Sequence, residues 1–146
     1  MTPQAEEARR LLRLAKRDQG TFGLLLSLPQ SELSALGFHA QQSAEKALKA
    51  VTVHAGLTVS RTHDLVALGS MLGNNGFELP VSSDELRLLN PFAVEFRYDD
   101  EIVALVTRDQ LADLLAAILE WAAACIDRVA EVPDDVPDDV PDDAPE

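Results

Sequence analysis

Apolar residues recur at helical spacing along the body of this chain, and no segment alternates long enough to predict a sheet. Five helical segments follow from the pattern. The first opens at Thr2-Pro3, a capping hydroxyl followed by proline at the first helical position. It runs to about Leu28, with Leu11, Leu14, Ala15, Phe22, Leu25 and Leu26 on one stripe, and Pro29 closes it. A second helix is predicted from about Ser31 to Ala55, stopped by Gly56, with Leu33, Leu36, Ala40, Ala44, Ala47, Leu48 and Val51 facing inward. These two should form an antiparallel hairpin. A short third helix is expected behind a Thr62 cap, with Asp64 near its positive end, fading at Gly73-Asn74-Asn75-Gly76. Ser82 and Glu85 have capping-box spacing for a fourth, and Pro91 must bend or interrupt it before Arg97 and Tyr98. Thr107 and Gln110 make a second box for a long last helix ending near Ala130. Leu111, Leu115, Ile118, Ala122, Cys125 and Val129 face the core there, while Asp113, Glu120 and Asp127 mark the wet face. The expected fold class is an all-α, up-and-down bundle of about five helices.

Length and composition narrow the picture. A chain of 146 residues is expected to hold one domain, residues 1–130, able to bury a core without disulfides or metal. Cys125 is the only cysteine, which excludes a disulfide framework within the chain and suits a reducing, cytoplasmic compartment. Met1 to Arg17 is charged and no stretch approaches about 18 consecutive apolar residues, so neither signal peptide nor membrane span is expected. The net charge of −13 is uneven: residues 131–146 carry eight acidic groups and no basic one, leaving −5 for the body. That tail repeats Val-Pro-Asp-Asp, is too polar and proline-broken to bury anything, and is expected to be disordered. It reads as a solubilising extension; a sharper reading has it compete with RNA for a basic groove.

The candidate chemistry centres on the second helix. Gln41, Glu45 and Lys49 follow one another at i, i+4 spacing, with Gln42 and Lys46 on an adjoining ridge. As a solvated face this ridge would carry a Glu45–Lys49 pair worth a few tenths of a kcal/mol. On the first helix Asp18 sits between Leu14 and Phe22 on the apolar stripe, where an unpaired carboxylate would cost several kcal/mol, so it needs a partner: Arg97, Arg61 or His63. Arg97 has two readings, a planar charged fork for a phosphate and the internal partner of Asp18. Arg9, Arg13, Lys16 and Arg17 form a basic stripe, read as a solvated face or a track for a phosphate backbone. His39 and His54 lie too far apart for one ion, and no metal site or cofactor is expected.

Three pieces in order, Phe38-His39-Ala40-Gln41-Gln42-Ser43-Ala44-Glu45-Lys46-Ala47-Leu48-Lys49, Thr62-His63-Asp64-Leu65 and Arg97-Tyr98-Asp99, resemble the HEPN family of higher-eukaryote and prokaryote nucleotide-binding domains. The resemblance spans roughly residues 5 to 130. Its ribonuclease branch has a histidine four to six residues after an arginine, and this chain has no histidine beyond His63. It is similar instead to the branch with Arg-Tyr in that place. Metal-independent RNA cleavage needs a base and an acid, roles imidazole fills best near neutral pH, so the resemblance favours binding over catalysis. It implies a two-fold homodimer with Gln42, Glu45, Lys46 and Lys49 lining a groove between subunits. Arg97, Tyr98, His63 and Asp64 would be further ligand or phosphate contacts. The function so implied is a nucleotide- or RNA-binding protein working beside a small nucleotidyltransferase in a toxin–antitoxin pair. Two alternatives stand beside it: a divergent endoribonuclease with Arg97 stabilising the phosphorane and Asp99, Glu101 or His63 moving protons, and a purely structural docking module.

Overall fold

The computed structural model describes residues 2–93 and 106–135, with side chains as far as Asp127; Arg97, Tyr98, Asp99, Glu101 and the tail beyond Asp135 lie outside the described residues. Five α-helices make up the described fold: α1 (Pro3–Leu26), α2 (Leu33–His54), α3 (Leu65–Asn74), α4 (Ser83–Leu89) and α5 (Arg108–Asp135), with a 3-10 turn at Asn90–Ala93 between the last two. The expected all-α bundle is what forms, and no strand occurs among the described residues.

Local chemistry sets most helix starts. The Thr2 hydroxyl accepts from the Ala5 amide at 3.0 Å, and Pro3 occupies a position that needs no backbone donor. Ser82 and Glu85 form the expected reciprocal box, at 3.1 and 2.8 Å. Thr107 and Gln110 form the other, at 3.1 and 2.8 Å. Two helix starts differ from expectation. Ser31 does not open α2; its hydroxyl donates to the Leu25 and Leu28 carbonyls at 2.6 and 2.8 Å, and the helix begins two residues later behind Glu32. Nor does Thr62 cap α3. Asp64 does, accepting from the Val66 and Ala67 amides, because its side chain sits one residue before the helix while the Thr62 hydroxyl is spent on the Asp64 amide. Pro91 falls in the 3-10 turn, as its effect on α4 requires. α5 continues to Asp135, past the end expected near Ala130.

α2 is the central element, packed against α1, α5, α3 and the 3-10 turn. Leu36, Ala40, Ala44, Ala47, Leu48, Ala50 and Val51 are fully buried along it, so its apolar surface wraps well beyond a single stripe. Small side chains let helices approach closely: the Ser43 hydroxyl donates to the Ala15 carbonyl of α1 at 2.6 Å. Gly37 has no Cβ because the Phe92 ring fills that volume. On α1 the buried set is Ala8, Leu12, Ala15 and Phe22, with Leu11 and Leu14 only half-buried. The inward face is thus rotated by part of a turn from the expected stripe, since Leu12 rather than Leu11 continues the i, i+3, i+4 row through Ala15. Truncating a fully buried leucine such as Leu48 or Leu115 would cost about 2–5 kcal/mol. No helix among the described residues is long and apolar enough to cross a membrane.

Candidate functional site

Because α2 has neighbours on several sides, its polar ridge is drawn inside the bundle. Gln41 is wholly buried and Glu45 is 7 % exposed, so the ridge is not the solvated face that i, i+4 spacing alone suggests. A buried carboxylate must be matched by donors, and Glu45 has three. Lys49 Nζ donates to one oxygen at 2.8 Å, Gln41 Nε2 to the other at 3.0 Å, and His63 Nδ1 lies 2.9 and 3.2 Å from the two. Burial by itself would push the Glu45 carboxyl up. The hydrogen bonds from Lys49, Gln41 and His63, with the Lys49 charge, outweigh it and hold the group below its ordinary value.

The Thr-His-Asp-Leu segment is fastened to this network from both sides. Gln41 Nε2 also donates to the His63 carbonyl at 3.2 Å, and Gln42 donates to Gln41 Oε1 at 2.8 Å. Asp64 caps α3, and Asn90 bridges back to it: Asn90 Nδ2 donates to Asp64 Oδ1 and the Leu65 amide donates to Asn90 Oδ1, both at 2.9 Å. The Asn90 bond is the main cause holding the Asp64 carboxyl below its ordinary value; slight burial opposes it, and the Ala67 and Val66 amides and the Arg87 charge reinforce it. Backbone and ring of His63 are both fixed in this way, yet its side chain is 73 % exposed. An ionised carboxylate only accepts, so Nδ1 carries the proton shared with Glu45, and in the neutral ring Nε2 keeps a lone pair. The result is an exposed imidazole oriented by a buried carboxylate, an arrangement suited to accepting a hydrogen bond or a proton.

The expected partner of Asp18 is corrected. It is Lys46, whose ammonium lies 2.5 Å from Asp18 Oδ2 across the α1–α2 interface, rather than His63 or Arg61; Arg97, the third candidate, is outside the described residues. Of the candidate contacts, Glu45, Lys49, Gln42 and His63 therefore meet in one network, Asp64 adjoins it as a helix cap, and Lys46 is engaged with Asp18. Both lysines expected to neutralise phosphate are thus held in internal ion pairs, their side chains 29 % and 18 % exposed. Gln41 and Asn90 are structural parts of the site that motif reading did not single out for that role. Among the described residues no group of three or more His, Cys, Asp or Glu side chains is placed to hold a metal. A cleft of about 690 Å³ is lined by His54, Leu57, Phe77, Glu78, Trp121 and Cys125 among others, and shares no residue with the network. In it, burial first and then the nearby Arg9 charge hold His54 below its ordinary value.

A model of the HEPN domain matches residues 6–128, and the chain belongs to the HEPN family. No curated protein and no solved structure matches it significantly. Nucleotide or RNA binding and toxin–antitoxin systems are frequent settings for this family.

Proposed function

We propose that this HEPN-family chain is a nucleotide- or RNA-binding protein that acts as a homodimer beside a small nucleotidyltransferase partner in a toxin–antitoxin-like pair. The observation that carries the reading is the exposed His63 ring held by the buried Glu45 carboxylate. A fixed ring loses little freedom on meeting a ligand, so its contact is not offset by ordering entropy. Lys49 and Lys46, each already paired, supply partial positive field rather than bare charges, and Arg97 with Tyr98 supplies the phosphate fork. A screen of nucleotides and short RNAs on wild type, His63→Ala and Arg97→Ala tests it. Binding lost in both variants, with helicity and dimer size unchanged, supports the reading; equal binding in all three refutes it.

A second reading, a divergent endoribonuclease, gains from the same pair. With Nδ1 committed to Glu45, Nε2 of His63 is a competent acceptor for a 2'-hydroxyl proton. Purified protein that leaves RNA uncut over a range of pH would remove it.

A further inference from the structure

α1 carries five of the twelve basic residues of the chain: Arg9, Arg10, Arg13, Lys16 and Arg17. Their i, i+3 and i, i+4 spacing puts them on one stripe. Its first two members are partly spoken for, Arg10 by Glu7 at 2.8 Å and Arg9 by Asp127 of α5 at 3.7 Å. Arg13, Lys16 and Arg17 are exposed, and among the described residues none of their charged side-chain groups has a hydrogen-bond or ion-pair partner. Glu120 lies across a shallow cleft from Lys16 without pairing with it. Three uncompensated cations in a row are out of keeping with a chain of net charge −13.

The matching anions are in the same polypeptide. α5 runs antiparallel to α1, with Asp127 facing Arg9 at one end and Ala116, Leu119, Glu120 and Ala123 facing Lys16 and Gln19 at the other. The chain therefore leaves α5 at Asp135 beside the start of α1, on the flank bordered by the basic stripe. At about 1.5 Å per helical residue, Arg17 lies roughly 24 Å back along α1 from that point. Residues 136–146, at about 3.3 Å each when extended, span roughly 36 Å. They hold Asp138, Asp139, Asp142, Asp143 and Glu146 and no basic residue, so their charge is opposite to that of the Arg13, Lys16 and Arg17 row and their reach exceeds the distance to it. Tethering puts these acids at an effective concentration in the millimolar range.

We propose that the acidic segment 136–146 docks back on the Arg13–Lys16–Arg17 face of α1 in the same chain and covers it against other polyanions. The inference is independent of the function proposed for the His63 site.

Lys16 offers a direct readout, since the other lysines, Lys46 and Lys49, are already paired. Full-length protein, mixed from heavy- and light-isotope preparations, is treated with a carbodiimide and its peptides are mapped by mass spectrometry. Same-chain amide links from Lys16 to Asp138, Asp139, Asp142 or Asp143 are expected to dominate. Their yield should fall about fivefold or more at about 0.5 M salt, where screening shortens the reach of surface charge. Arg13→Glu with Arg17→Glu should lower the yield similarly without changing helicity. Links absent, spread equally over the three lysines, joining different chains only, or indifferent to salt and to the Arg13 and Arg17 substitutions would each overturn the proposal.

Discussion

Glu45→Gln is the substitution that most directly measures what the buried network contributes. The glutamine keeps the shape and one acceptor oxygen, so the change is close to removal of a charge from a site 7 % exposed. Lys49, 18 % exposed, then loses its partner at 2.8 Å. Breaking a buried ion pair by removing one member costs about 3–5 kcal/mol. Lys49 can slide its ammonium towards water along its alkyl stem, and His63, largely in solvent, replaces its lost acceptor with water. Both relax the penalty, and we expect roughly 2 kcal/mol by discounting the buried-pair figure. Lys49→Met removes the other charge, and the double variant should be more stable than the two single losses imply, by about 1–2 kcal/mol of coupling. Urea unfolding followed by circular dichroism gives all three values. The pH dependence supplies an independent sign. A carboxyl held below its ordinary value of 4.5 contributes stability that is present above that value and is lost as pH falls through the lowered one. Glu45→Gln should abolish that part of the acid loss. A cost below about 0.5 kcal/mol with no coupling to Lys49→Met, the size expected of an exposed pair, would refute the reasoning.

Gly37→Ala should destabilise by about 1–3 kcal/mol, because its new methyl group would overlap the Phe92 ring, and Phe92→Leu should recover part of the loss in thermal melts. Arg108→Ala removes guanidinium bonds to the Leu26, Leu28 and Ser31 carbonyls at 3.1, 3.1 and 2.9 Å. We expect a loss of about 2 kcal/mol, only partly restored by Arg108→Lys because an ammonium lacks the fork. His54, held below its ordinary 6.5 by burial and Arg9, favours the neutral folded state, so stability should decline as pH drops from 6.5 towards the lowered value. His54→Gln should flatten the curve in that window, and an unchanged slope would count against the assignment.

Where the chain's own neighbours supply the chemistry, the sequence was readable. Thr2-Pro3, Ser82 with Glu85 and Thr107 with Gln110 each act within one helical turn, and all three form as expected. So does the inward row of α2 from Leu36 to Val51. Asp18 was recognisable as a carboxylate in need of a partner, but Lys46 is 28 residues away and meets it only through the register of two packed helices. Spacing shows that Gln41, Glu45 and Lys49 share a ridge, not that α2 is flanked on enough sides to bury it. Thr62 and Asp64 are both good caps, and only the position of the first helical turn decides between them. Arg97 and Tyr98, in the last of the three pieces on which the resemblance was read, lie outside the described residues.

The clasp made by Arg108 has a consequence for the order of assembly. Its side chain closes carbonyls in the α1–α2 connection that come 77 to 82 positions earlier in the chain. On a ribosome the first two helices emerge long before the last, so their junction stays hydrated until α5 arrives. The hairpin can collapse early through its alanine-rich seam, while its open end is sealed late. Completion of the fold therefore waits for α5, and products truncated before residue 108 would emerge with that end unlatched.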